Sequence, residues 1–136
     1  MEALMTLDHV GIAVKDLEEA RQTYIKLGFE VGPIEELPER KLRIAMVRLG
    51  ESNLELLCPT DPDSPVGKFL AKNGPGIQHL CYRVENIDKK IEELRAAGVR
   101  LIDEKARPGA HGTRVAFVHP ASVGGVLTEF CEHARL

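Results

Sequence analysis

The sequence predicts an α+β protein built from two tandem βαβββ modules. Two observations carry that expectation. The chain repeats itself at a nearly constant offset, and each copy switches from period-two to helical hydrophobic spacing at the same place. LDHVGIAVKDLEEARQTYIKLGFEV (7–31) lies over IQHLCYRVENIDKKIEELRAAGVRL (77–101) without a gap, setting His9 on His79, Val14 on Val84, Leu17 on Ile87 and Gly28 on Gly98. RIAMV (43–47) then matches RVAFV (114–118), and NLELLC (53–58) matches LTEFCE (127–132), which places Glu55 on Glu129. The loop HPASVGG holds a three-residue insertion relative to the first copy. Three matches in one order mark a duplication rather than chance.

The elements follow in order. LDHVGIAV alternates as a strand, with Val10, Ile12 and Val14 on one face and His9, Gly11 and Ala13 on the other. Asp16 is an N-cap with Glu19 at the capping-box spacing, Leu17, Ala20, Tyr24 and Leu27 form a helical stripe, and Gly28 supplies the left-handed stop. In the second copy Asn86 caps, Ile87, Ile91 and Leu94 form the stripe, and Gly98 ends it. Strands are expected near 29–35, 42–49 and 53–58, then near 99–104, 114–119 and 126–132. Between the copies, Ser64 and Pro65 read as an N-cap and a proline at the first helical position, and Asn73-Gly74 as a stop. The whole of 1–136 therefore reads as a single domain: module one at 5–58, a linker helix within 59–76, and module two at 77–134.

Composition narrows the function classes. At 136 residues with 43% hydrophobic content, the chain can bury a proper core. No apolar run approaches the ~20 residues of a membrane span, and MEALMTLDHV lacks the features of a signal peptide, so a cytoplasmic protein is expected. Cys58, Cys81 and Cys131 are odd in number and show no CxxC spacing, which argues for reduced thiols. The net charge of −3 comes from mixed charges, with no nucleic-acid or polybasic membrane footprint.

Strand parity then brings chemistry together. Asn53, Glu55 and Leu57 share a face, as do Leu127, Glu129 and Cys131. Each module thus offers one His from its first strand and one Glu from its last, both among apolar neighbours. An unpartnered buried carboxylate costs several kcal/mol. A divalent cation held by His9, Glu55, His79 and Glu129 resolves both cases at once. Imidazole and carboxylate donors suit Mn, Fe, Co, Ni or Zn. The bland alternative is that Arg43 or Arg114 pairs with the glutamates and that the histidines are core donors. His111, His119 and His133 sit in turns or near the end of the chain, where surface or supporting roles are expected. Cys81 and Cys131 read as small thiols lining the same faces.

With these residues in view, the chain resembles the vicinal oxygen chelate superfamily (glyoxalase/bleomycin resistance/dioxygenase) and, within it, the methylmalonyl-CoA epimerase family. LDHVGIAV, NLELLCPT, SPVGKFLAKNGPGIQHL and GAHGTRVAFVHPASVGGVLTEF carry the closer resemblance. The resemblance implies two modules forming a curved, incompletely closed sheet around a metal site. It implies His9, His79 and Glu129 as ligands with Glu55 in the fourth position, a Co, Mn, Ni, Zn or Mg ion, a homodimer and an acyl-CoA substrate. It further implies epimerisation of (S)- and (R)-methylmalonyl-CoA by α-proton abstraction. Two departures stand out. Gln78-His79 replaces the His-His pair of many relatives. Ile44 occupies a position where some relatives carry a carboxylate regarded as a second acid/base.

In that scheme Glu129 is the candidate base, and Glu55, equivalent by the duplication, or a metal-bound water is the candidate for the opposite face. Lys68, Lys72, Arg107 and Arg114 are candidate contacts for the CoA phosphates, with solvated surface charge as their bland reading. Two competing functions remain open on sequence grounds: a glyoxalase-like lyase or isomerase, and a non-enzymatic small-molecule binding module. Two Tyr, four Phe and no Trp offer little for a binding module that works by aromatic stacking.

Overall fold

The computed structural model describes residues 5–134. The described chain falls into two compact units, one spanning His9–Gln78 and the other combining the residues before His9 with those from His79 onward.

In the first unit, β1 (Thr6–Ala13) leads into α1 (Leu17–Lys26), followed by β2 (Glu30–Val31), β3 (Glu35–Leu37), β4 (Leu42–Leu49), β5 (Ser52–Pro59) and α2 (Pro65–Asn73). β5 runs parallel to β1, with Gly11 opposite Glu55, and antiparallel to β4, with Met46 opposite Glu55. β2 and β3 both pair antiparallel with β4. The α1 stripe covers one sheet face, where Leu17, Ala45, Val47 and Leu56 form a buried core. The expected strand at 29–35 is split in two by Gly32-Pro33, since proline has no N–H to give a ladder.

The second unit repeats the plan. β6 (Gly76–Arg83) leads into α3 (Ile87–Ala96), followed by β7 (Arg107–Pro108), β8 (Arg114–Val118) and β9 (Thr128–Glu132). β6 and β9 are parallel, β8 is antiparallel to β9, and β7 is antiparallel to β8. Ile87, Ile91, Ala116, Val118 and Phe130 are the matching core. The strand expected at 99–104 is reduced to a single bridge, Leu101 to Val118. Asp103 is the local cause: its carboxylate accepts from the Phe117 N–H at 2.8 Å, doing with a side chain what a continuing ladder would do with backbone.

The helix ends follow the sequence signals. Glu19 N–H donates to Asp16 Oδ1 at 2.9 Å, Lys89 N–H to Asn86 Oδ1 at 3.0 Å, and Gly67 N–H to Ser64 Oγ at 3.2 Å. Gly28 and Gly98 take positive φ after α1 and α3. In both units the helix packs on one face of an open mixed sheet, which leaves the His- and Glu-bearing face for chemistry. The class is α+β, as expected.

Candidate metal centre

Each unit presents one His–Glu pair on the sheet face turned away from its helix. In the first, His9 Nε2 lies 3.8 Å from Glu55 Oε2. In the second, His79 Nε2 lies 3.1 Å from Glu129 Oε1. All four side chains are buried, from 7% exposure at His9 to 2% at Glu129. The pairs are not equal. His79 meets Phe117 edge-on, with ring centroids 5.4 Å apart and an interplanar angle of 74°, so an aromatic wall fixes the imidazole. The residue equivalent to Phe117 is Met46, and the flexible thioether holds its surroundings less firmly. Likewise Gly11 sits opposite Glu55 where Cys81 sits opposite Glu129.

The arginines named as alternative partners are engaged elsewhere. Arg43 binds Glu18 at 2.7 Å and Glu36 at 3.0 Å. Arg114 forms a two-pronged pair with Asp88, both contacts at 2.9 Å, and approaches Glu132 at 3.9 Å. The duplication extends to these links, because Arg43 and Arg114 are equivalent, as are Glu18 and Asp88. Each clips the first turn of a helix to its sheet, holds its acid below the usual carboxylate range, and lies on the helix-covered side. A buried carboxylate beside a buried imidazole, on the face away from Arg43 and Arg114, fits a divalent cation with nitrogen and oxygen ligands.

Lys68 and Lys72 stand on exposed positions of α2. Arg107 pairs with Asp103 at 3.2 Å. Cys81 and Cys131 pack with Val115 in a small buried cluster. Burial, the contact with Cys131 and the Glu129 charge all push the Cys81 thiol far up, so it is a packing group and not a nucleophile. His119 accepts the Ala121 N–H on Nδ1 at 3.1 Å and caps the short turn after β8. His111 takes a left-handed φ of 57° between Gly109 and Gly112.

One network was not anticipated. Asp8, 5% exposed, is held by Arg83 at 3.1 Å and by His133 Nε2 at 2.5 Å. An acid inside a strand was the signal in the sequence. Its partners lie 75 and 125 residues away, beyond the reach of any local pattern.

A family model described as the Glyoxalase/Bleomycin resistance protein/Dioxygenase superfamily matches residues 8–117. The chain is 45% identical over 125 residues to the mitochondrial methylmalonyl-CoA epimerase of Bos taurus, covering 90% of this chain and 71% of that one. It is 40% identical over 126 residues to an ethylmalonyl-CoA/methylmalonyl-CoA epimerase of Cereibacter sphaeroides, covering 90% and 94% of the two chains. Among solved structures, a methylmalonyl-CoA epimerase in complex with methylmalonyl-CoA and NH4+ matches with a TM-score of 0.92 at 40% identity, covering 97% of this chain and 96% of that one.

Proposed function

The chain belongs to the methylmalonyl-CoA epimerase family of the glyoxalase/bleomycin resistance/dioxygenase superfamily, and from that membership we propose that it interconverts the (S) and (R) forms of methylmalonyl-CoA. The observation that carries the reading is the duplicated, buried His–Glu pair, His9 with Glu55 and His79 with Glu129. We assign these four residues as the ligands of one divalent cation per chain, drawn from Co, Mn, Ni, Zn or Mg. When bound, the cation supplies Lewis-acid polarisation of the thioester carbonyl, worth several kcal/mol toward enolate formation.

The protein's own groups do the rest. Glu129 takes the proton from the α-carbon, and the electron pair of the broken C–H bond moves onto the carbonyl oxygen. A positioned base contributes about 10² to 10⁴ in rate. Phe117 beside His79 keeps the second pair dry and oriented, which strengthens every charge interaction made there. Glu55, whose pair is wider, serves first to balance charge. Lys68 and Lys72, four residues apart on one side of α2, suit the CoA phosphates; Arg107 and Arg114 are weaker candidates because each already holds an aspartate.

The test is proton exchange. The protein loaded with one divalent metal at a time is incubated with methylmalonyl-CoA in deuterated water, and the α-proton signal is followed by NMR. Loss of that signal with conversion of a single epimer into a mixture of both is expected. No exchange, with turnover of a glutathione hemithioacetal instead, would replace the epimerase by a glyoxalase-like activity.

We also assign the working form as a homodimer. Short β2, β3 and β7 leave strand edges to be covered. Sedimentation at micromolar concentration should give twice the 15.0 kDa chain mass, and a monomer there would reject the assignment. No helix among the described residues is long and apolar enough to cross a membrane.

A further inference from the structure

We propose that Asp8, Cys131 and His133 form a second metal site, separate from the His–Glu pairs, that takes a thiophilic divalent ion such as Zn²⁺. One donor atom from each of the three lies within 4.8 Å of the other two. All three belong to the compact unit that combines the residues before His9 with those from His79 onward. None of them takes part in the chemistry assigned above.

Strand parity brings the donors together. Glu129 and Cys131 share one face of β9, and His133 takes the next position of that alternation, just past the strand's end at Glu132. Glu132 has the opposite parity and turns to α3, where it accepts the Ile87 N–H at 3.0 Å. In the β6–β9 ladder Arg83 lies opposite Cys131, so its guanidinium starts from the same face. Asp8 meets this row from β1. Its Oδ1 accepts from Arg83 Nε at 3.2 Å and Nη2 at 3.1 Å, and lies 2.5 Å from His133 Nε2. Two residues of a strand rise about 6.6 Å, so Cys131 is displaced along β9 from Glu129 by that much, and the site is a second one rather than an extension of the first.

The donor set decides which ion it takes. Thiolate, imidazole and carboxylate together suit Zn or Co, whereas Mg and Ca prefer oxygen alone. Ligand atoms around a tetrahedral ion with bonds of about 2.0–2.3 Å stand roughly 3.3–3.8 Å apart. Small side-chain rotations therefore close the set. Asp8 and Cys131 are 5% and 1% exposed, which keeps water from competing on that side. The His133 side chain is 43% exposed and gives the ion its way in. On binding, the S–H bond of Cys131 breaks, its electron pair is donated to the ion, and the proton leaves to water. His133 and Asp8 then meet through the ion instead of through a proton, which goes to the other ring nitrogen or to solvent. Arg83 remains hydrogen-bonded to the Asp8 carboxylate, as carboxylates that bind metals are generally held by a further partner. Its positive charge weighs against hard ions, which gain nothing from sulfur to offset it.

The experiment uses the full-length protein, stripped of metal by a chelator and titrated with Co²⁺ in the absence of oxygen. Cobalt bound to a thiolate gives an intense near-ultraviolet charge-transfer band, and cobalt bound by nitrogen and oxygen alone does not. The band should appear in the parent at one thiolate per chain, persist in Cys58→Ser and be absent in Cys131→Ser. Excess Zn²⁺ should erase it, and excess Mg²⁺ should leave it. In His133→Ala the Co²⁺ concentration for half-saturation should rise by at least about 10- to 100-fold, the loss that follows even when a partner hydrogen-bonded to a ligand is removed. That variant alters a side chain near the chain's end that is 43% exposed, so it tests the site without opening the core. No band in the parent at several equivalents of Co²⁺ overturns the proposal. So does a band unchanged in Cys131→Ser, or a half-saturation unchanged in His133→Ala. The result does not depend on the His–Glu assignment, whose donors include no sulfur: cobalt taken up without the band rejects this site and leaves that one standing.

Discussion

Glu129 and Glu55 occupy equivalent places in the duplication but meet different neighbours. Glu129 lies between Cys81 and Phe117 in the ladder, 3.1 Å from His79; Glu55 lies between Gly11 and Met46, 3.8 Å from His9. On the assignment proposed above, the tighter, less exposed member is the better placed base, and the looser one is the more replaceable ligand. Glu129→Gln keeps an oxygen donor and removes the base. It should retain most of the metal and lose turnover by about 10² to 10⁴. Glu55→Gln should keep both metal and turnover to a greater extent. Metal content and kcat measured together on each variant decide the matter, and near-normal turnover in metal-replete Glu129→Gln would remove Glu129 from its role. At this scale the sequence was informative where strand parity operates. His9, Glu55, His79 and Glu129 stand out because period two puts polar groups among apolar ones. Asp8, Arg83 and His133 could not be joined the same way, since only the folded chain brings residues 75 and 125 positions apart into contact.

Among the elements, the helices were the most legible and the short strands the least. A cap, a stripe and a stop are all local signals, and Asp16, Ser64 and Asn86 each cap as their spacing implied. The second strand of each module depends on partners far along the chain and on single residues that interrupt a ladder. Pro33 splits one strand, and in the other the Asp103 carboxylate takes the Phe117 N–H beside a few remaining backbone bonds, leaving a single bridge at Leu101. α2 gives a direct test of local packing. Gly67 lies in its first turn, and a Cβ there would sit 2.6 Å from both the Asp61 and Pro62 carbonyl oxygens. Those are backbone atoms of the turn that leads into the helix, where Ser64 Oγ also donates to Asp61 at 2.7 Å. The turn cannot yield as a flexible side chain would. Gly67→Ala should therefore destabilise the protein by about 1–3 kcal/mol, the cost of overpacking, despite alanine's better helix propensity. Urea unfolding of the two proteins would show it, and a variant as stable as the parent would mean that the turn relaxes freely.

At the scale of the molecule, the duplication and the compact units do not divide the chain at the same place. The sequence repeat starts its second copy at residue 77, within β6, and assigns all of β1 to the first. The compact units divide inside β1, between Asp8 and His9, and inside β6, between Gln78 and His79. Asp8 belongs with the second half through Arg83 and His133, while His9 belongs with the first through Glu55. A strand is one cooperative length of backbone, so neither unit ends at a natural break. Independent unfolding of one half would have to fray β1 and β6 in their middles and expose Asp8 or His9 beside the tear. The single-domain organisation expected from the sequence therefore carries a thermodynamic prediction. Unfolding should be one two-state transition, with calorimetric and van't Hoff enthalpies equal, at about 95 kcal/mol at the midpoint for a chain of 136 residues. A chain cleaved within 59–76 should give two pieces that lack native-like near-UV circular dichroism alone. Two resolved transitions in calorimetry, or a folded isolated half, would show that the modules are separate domains joined by α2.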